Sequence, residues 1–289
     1  MTRDFLQRFV FENTDVRGEL VRLDASWQQV LARHVYPVTV REQLGQALAA
    51  TVLLSATIKF RGSLVLQAHG EGPLTMLVAQ VTSERTLRGL ACWRGSVQAG
   101  TLQEMFGQGR LVMTVAPADG GERYQGIVAL EGTNLAAALH TYFERSEQLS
   151  TTLWLAADQA CAVGLLLQRL PGEHGHADIW RRAEQLAATV TDKELLRLPA
   201  LVLLQRLFRY EDVRVFDPEP VLFRCTCSLA RLQIAVRALG REESVDILRE
   251  KGALEARCEF CNQHYELDSV DVAGLFATPL SPEVPTTRH

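Results

Sequence analysis

Four cysteines near the C-terminus, Cys225, Cys227, Cys258 and Cys261, are the residues whose type and spacing offer chemistry. They form a C-x-C and a C-x-x-C separated by thirty residues. Each motif sets two sulfurs on one turn, and a folded segment of that length can bring the turns together. Zn²⁺ favours such a set, four thiolates at about 2.3 Å in a closed tetrahedron. A lone C-x-x-C says little; the matched pair of motifs is specific. Zinc-bound sulfurs are thiolates, the nucleophilic form. A Cys225–Cys227 bridge would close a very small ring, and strained bridges have oxidising potentials. Two readings therefore stay open on spacing alone: an inert structural zinc ribbon, or a site where an oxidant ejects the metal and leaves local disulfides.

The remaining candidates are weaker. His264 follows the C-x-x-C and is an alternative ligand, though four thiolates leave it a surface or hydrogen-bonding role. Cys92 and Cys161 stand alone in apolar, strand-like surroundings and are expected to be buried packing residues. His174 and His176 flank Gly175 in a loop with no third ligand nearby. The chain has no Walker loop, no G-x-S-x-G and no H-E-x-x-H, so neither an enzyme nor an ATP-using machine is expected.

The elements around the cysteines are legible. Ser228 can cap a helix over Leu229 to Leu239 that Gly240 stops. Glu242 to Lys251 makes a second helix, closed by Gly252. Ala253 to Arg257 and Tyr265 to Leu267 flank the C-x-x-C as a short hairpin. This tail has few large apolar residues, and so small a module needs a staple. A structural zinc supplies on the order of 10–16 kcal/mol of folding free energy.

Upstream, strands are expected at Phe9 to Phe11, Val16 to Leu23, Lys59 to Ala68, Pro73 to Val81, Gly109 to Val115, Tyr124 to Leu130, Thr151 to Leu155 and Ala160 to Gln168. Helical spacing runs over Val40 to Ile58 and Leu135 to Glu147. Pro171 to Gly175 and Asp217 to Pro220 read as breaks. Between them Ile179 to Tyr210 is helical with interruptions, including a capping box at Thr191 and Glu194 and Pro199 at a helix start. The fold class is thus α+β. Residues 1–172 form a mixed α/β sheet domain, 173–220 a helical linker and 221–289 a small four-cysteine zinc domain, with the last ten or so residues, around Pro282 and Pro285, frayed. The linker carries more apolar residues, among them Leu195, Leu196, Leu203, Leu204, Leu207 and Phe208, than one helix stripe needs. It is expected to cover a sheet face of the first domain.

Of 289 residues, 47% are hydrophobic and 22% charged, which suits a folded, soluble chain. A net charge of -4 and the acidic tail residues Glu242, Glu243, Asp246, Glu250, Glu255 and Glu259 argue against nucleic acid. Charged residues throughout Met1 to Leu20 leave no apolar signal core, and the uncharged stretch from Gln43 to Ile58 is too short to cross a bilayer. A cytoplasmic location without membrane contact follows, where thiols stay reduced.

Several phrases resemble the heat-shock protein 33 family. In the tail these are Phe223-Arg224-Cys225-Thr226-Cys227-Ser228 and Cys258-Glu259-Phe260-Cys261. Upstream they are Leu204 to Phe208, Val213 to Phe216, Gly107 to Leu111, Tyr124 to Val128 and Tyr142 to Gln148. The resemblance covers nearly the whole chain. It implies a redox-regulated, ATP-independent holdase chaperone with one zinc per chain, inactive while reduced. On oxidation, Cys225 would join Cys227 and Cys258 would join Cys261, zinc would leave, and tail and linker would unfold. The partners implied are unfolding client proteins, a second copy in an activated homodimer, and ATP-dependent foldase chaperones downstream. The rivals are a thiol–disulfide oxidoreductase, whose thioredoxin-like βαβ context is absent around Cys258, and the inert zinc ribbon.

Overall fold

A computed structural model describes residues 4–171 and 177–277. His174, His176 and the proline-bearing end lie outside the described residues. The chain falls into two compact units divided between Arg224 and Cys225.

The first unit opens with β1 (Phe5–Phe11) and β2 (Val16–Leu23), then α1 (Ala25–Leu31) and the long α2 (Val38–Thr57). Three strands follow, β3 (Gly62–Gly70), β4 (Leu74–Thr82) and β5 (Thr86–Trp93). Next come α3 (Leu102–Phe106), β6 (Gly109–Pro117), β7 (Tyr124–Ala129) and α4 (Leu135–Tyr142), whose end widens into a π turn at Phe143–Glu147. After β8 (Thr151–Ala157) and β9 (Ala162–Arg169) the chain is helical in α5 (Ala177–Ala187), α6 (Asp192–Arg197) and α7 (Ala200–Phe208). Three short strands close the unit: β10 (Val213–Val215), β11 (Glu219–Pro220) and β12 (Leu222–Phe223).

These strands make two sheets. One runs β10-β1-β2-β9-β8 with β11 also on β1; the other runs β12-β5-β4-β3-β6-β7. The helix α2 packs against strands of both. That explains its composition: Val40, Leu44, Leu48, Val52, Leu53 and Leu54 are all fully buried, because a helix apolar on every side needs a cover on every side.

The outer face of the first sheet meets the helices α5 to α7. Phe9, Phe11, Leu20, Leu165 and Leu167 from the strands form one core with Trp180, Leu195, Leu203, Leu207 and Phe208. The apolar excess in this segment is thereby accounted for. Phe208 sits at the centre, its ring 5.0 Å from that of Phe11 and 5.9 Å from that of Phe9. Phe9 in turn lies across Gly18, where any side chain would collide with its ring. A capping box of Thr191 and Glu194 opens α6, and Pro199 stands at the cap of α7.

The segment after α7 is not a loose break. Val213, Arg214 and Val215 pair antiparallel with Phe11, Val10 and Phe9, and Glu219 pairs with Leu6. The chain then crosses to the other sheet, where Leu222 and Phe223 pair in parallel with Thr86 and Leu87. The Arg224 N–H donates to the Leu87 carbonyl at 3.0 Å. Residues 213–224 therefore strap one sheet to the other and end one residue before Cys225.

The second unit contains α8 (Leu229–Leu239), α9 (Arg241–Lys251), the hairpin β13 (Leu254–Arg257) with β14 (His264–Leu267), and α10 (Ser269–Ala277). Among the described residues its buried apolar core is Val236, Leu254, Leu267, Val272 and Leu275. Such a core is marginal for an independent fold.

Candidate metal centre

The four cysteines come from the two ends of the module's framework. Cys225 and Cys227 precede α8, whose first turn is fixed by Ser228: its hydroxyl accepts from the Arg231 N–H at 3.3 Å. Cys258 and Cys261 sit in the tight turn between β13 and β14. There the Asn262 N–H donates to the Cys258 carbonyl at 2.8 Å, and Asn262 takes the left-handed conformation that closes the turn.

All four Sγ atoms lie within 4.8 Å of one another. Cys225 and Cys258 are 3.6 Å apart and Cys227 and Cys261 3.3 Å apart, sulfur to sulfur. A tetrahedron of sulfurs at zinc distances has edges of about 3.8 Å, close to these two separations, so the donor set suits a divalent ion of that size. The four cysteines can hold a metal ion.

Their protonation points the same way. Burial opposes ionisation of Cys225, yet the Cys227 backbone N–H and the surrounding thiols outweigh it and bring Cys225 down to about 7. Burial and the neighbouring thiols push Cys261 up to about 12, and burial also raises Cys258. One thiolate forms readily here, and the crowd resists the next. Only a cation brought among the sulfurs makes four thiolates compatible.

His264 lies elsewhere, on an exposed face of the hairpin beside Glu255 and Glu266. Tyr265, which the motif spacing did not single out, donates its hydroxyl to Cys227 Sγ at 3.2 Å. Its place was readable only from strand alternation: Leu267 points into the module core and so does the side of the hairpin bearing Tyr265.

The two isolated cysteines differ from each other. Cys161 is fully buried as expected; its thiol donates to the Leu196 carbonyl at 3.6 Å and burial pushes it up to about 11. Cys92 is exposed, contrary to the expectation of a packing residue. Along β5 Leu87 and Ala91 face the core, and Cys92, next to Ala91 near the strand's end, lies on the opposite side and opens outward.

The comparisons with known proteins agree with this architecture. The model of the family described as Hsp33 protein matches residues 4–268. The 33 kDa chaperonin of Nitrosococcus oceani is 58% identical over 287 residues, covering 99% of each chain. That of Shewanella sediminis is 46% identical over 284 residues, 98% of this chain and 99% of its own. Among solved structures, the 33 kDa chaperonin from Thermotoga maritima superposes with a TM-score of 0.81 at 21% identity, covering 94% of this chain and 98% of its own, which shows a common fold. Fold and relatives together define a chaperone, not an enzyme. The chain belongs to the Hsp33 family.

Proposed function

We propose that this chaperone is an ATP-independent holdase switched by oxidation, with one zinc ion held by Cys225, Cys227, Cys258 and Cys261 while the thiols are reduced. The observation that carries the reading is the convergence of four sulfurs, from motifs thirty residues apart, inside a module whose buried apolar core, among the described residues, is small. Zinc binding free energy is folding free energy for such a module. One peroxide takes two electrons from each thiolate pair, an S–S bond forms, and with two protons from solvent the peroxide leaves as two waters. Pairing within each motif, Cys225 with Cys227 and Cys258 with Cys261, ejects the metal and removes the staple.

The consequence for the rest of the chain follows from covalent continuity. The strap of residues 213–224 ends at the residue before Cys225. An unfolded module no longer anchors its C-terminal end, so the strap and the helices before it lose support. Lifting α5 to α7 would uncover two complementary apolar surfaces, the helices' own and the sheet face carrying Phe9, Phe11 and Leu165. Surfaces of that kind bind other proteins. The clients are unfolding proteins; a homodimer is the active form, and ATP-dependent foldases receive the clients afterwards. The working place is the cytoplasm. No helix among the described residues is long and apolar enough to cross a membrane.

The test follows zinc release, free thiols and suppression of a client's thermal aggregation together during peroxide treatment. The three should change in step. Equal suppression with and without peroxide would defeat the switch, even with zinc present.

A further inference from the structure

A cavity of about 480 Å³ opens where α2 hands over to β3, beside the turn between β4 and β5. Lys59, Arg61 and Arg85 line it, with the hydroxyl-bearing Ser55 and Ser83, and no carboxylate does. Lys59 and Arg61 are exposed and pair with no acid among the described residues. Glu84, in the same turn, is exposed and is not part of the lining.

Arg85 is the unusual member. Among the described residues it is one of few other than glycine with positive φ, at 59°, a strained conformation that persists where surrounding contacts hold it. Its side chain is largely enclosed, at 12% exposure. Nη1 donates to Ser55 Oγ at 2.6 Å and Nε to Glu219 at 3.1 Å. Nη2 has no hydrogen bond among the described residues. Glu219 belongs to the strap, and its other oxygen pairs with Arg8 at 3.0 Å.

We infer that this cavity is a binding site for a small multivalent oxyanion of the phosphate class, and that its occupant competes with Glu219 for Arg85. A tetrahedral oxyanion takes charge-assisted hydrogen bonds from guanidinium and ammonium groups together, and the Ser83 hydroxyl, which only accepts from the Gly62 N–H, is left to donate to a further oxygen. The strain at Arg85 is matched to this use, since it keeps the guanidinium between the cavity and the strap. A doubly charged anion draws that guanidinium more strongly than one carboxylate, 38% exposed, and leaves the strap with Arg8 alone. Binding stands on the cavity itself; only the effect on the strap rests on the release proposed above.

The experiment titrates the reduced, zinc-loaded full chain with inorganic phosphate, pyrophosphate and succinate at fixed ionic strength, read by calorimetry. One saturable site is expected for phosphate and pyrophosphate, with succinate weaker. The double variant Lys59→Gln, Arg61→Gln should bind about tenfold more weakly, the loss of charge-assisted hydrogen bonds. Both residues are exposed, so its thermal melt should match the wild type, and single variants serve if it does not. Glu219→Gln should bind more tightly, having lost the competitor. No saturable binding, or binding unchanged in the Lys59 and Arg61 variants, overturns the site. Hydrogen exchange at residues 213–223 should quicken with saturating pyrophosphate; unchanged exchange alongside proven binding overturns the competition and leaves the redox switch untouched.

Discussion

Cys227 Sγ lies 3.3 Å from Cys261 Sγ, so sulfurs of the two motifs meet across the cluster. The same is true of Cys225 and Cys258 at 3.6 Å. Proximity alone would allow crossed disulfides as readily as local ones, and the two outcomes are mechanically opposite. A crossed bridge closes a loop of more than thirty residues and would stabilise the module by about 3–4 kcal/mol. A local bridge closes a loop of one or two residues and ties nothing together. Peptide mapping of the peroxide-treated protein should find Cys225 bonded to Cys227 and Cys258 to Cys261. Crossed bridges with a module still protected from exchange would end the release mechanism.

Cys161 offers a built-in reporter of the linker's position. Its thiol sits beneath α6, bonded to the Leu196 carbonyl and within 3.5 Å of Arg22 Nη2, and burial keeps it protonated. Cys92 is exposed and serves as an internal control. Peptide-resolved maleimide labelling should mark Cys92 at the same rate before and after peroxide. Cys161 labelling should rise at least about tenfold once the module is oxidised, as its protection becomes that of an open state. Equal rates would mean that α6 never leaves.

The covered face can be uncovered without oxidant. Truncating Phe208, 2% exposed and in ring contact with Phe9 and Phe11, removes about 3–5 kcal/mol of packing. Phe208→Ala should keep its zinc, show faster exchange through α5 to α7, and suppress client aggregation partly in the reduced state. A variant with loosened helices that still needs full oxidation would place the client surface elsewhere.

These relationships differ in how far the chain announces them. The cysteine quartet is legible because metal chemistry fixes both residue type and spacing, and Ser228, Gly240 and Gly252 mark the helix ends around it through local capping. The apolar excess around Leu203, Leu207 and Phe208 demands a cover whatever the fold. The strand Thr86–Trp93 escapes notice because Gly89 and Ala91 among its inward positions give no strong alternation. The strap escapes for another reason. Asp217, Pro218, Glu219 and Pro220 read locally as a break, and their pairing with β1 and the arginines on either side of Glu219 are long-range facts. Cys92 shows the limit of composition: neighbours of the right type do not reveal which side of a strand faces out.

Glu219 is a strap carboxylate held from both sheets, by Arg8 from β1 and by Arg85 beside β5. Both pairs are partly exposed, so together they contribute about 1 kcal/mol. Glu219→Gln should leave zinc affinity unchanged, quicken exchange in residues 213–223 and lower the peroxide dose needed for linker release. Unaltered exchange in the variant would assign the strap's hold to its backbone pairing alone.

Glu19 supplies a pH dependence of known sign. It lies fully buried on β2 with Oε2 unpaired, and burial pushes its carboxyl up to about 7 against the pull of Arg17, Arg8 and Arg85. The charged groups facing it are those three arginines, with Glu219 bound to two of them. The ordinary value of a glutamate carboxyl is 4.5, so the folded state holds this proton more tightly than the unfolded chain does. The resulting stability is fully present below the unfolded value and is lost as pH rises toward about 7, a change on the order of 3 kcal/mol. Glu19→Gln cannot titrate and should lack that slope. Urea midpoints of the two proteins, measured from about pH 5 to about pH 8, should therefore diverge, the wild type falling relative to the variant. Parallel curves would mean that the arginines keep Glu19 ionised throughout, and that its burial is offset by the same cluster that holds the strap.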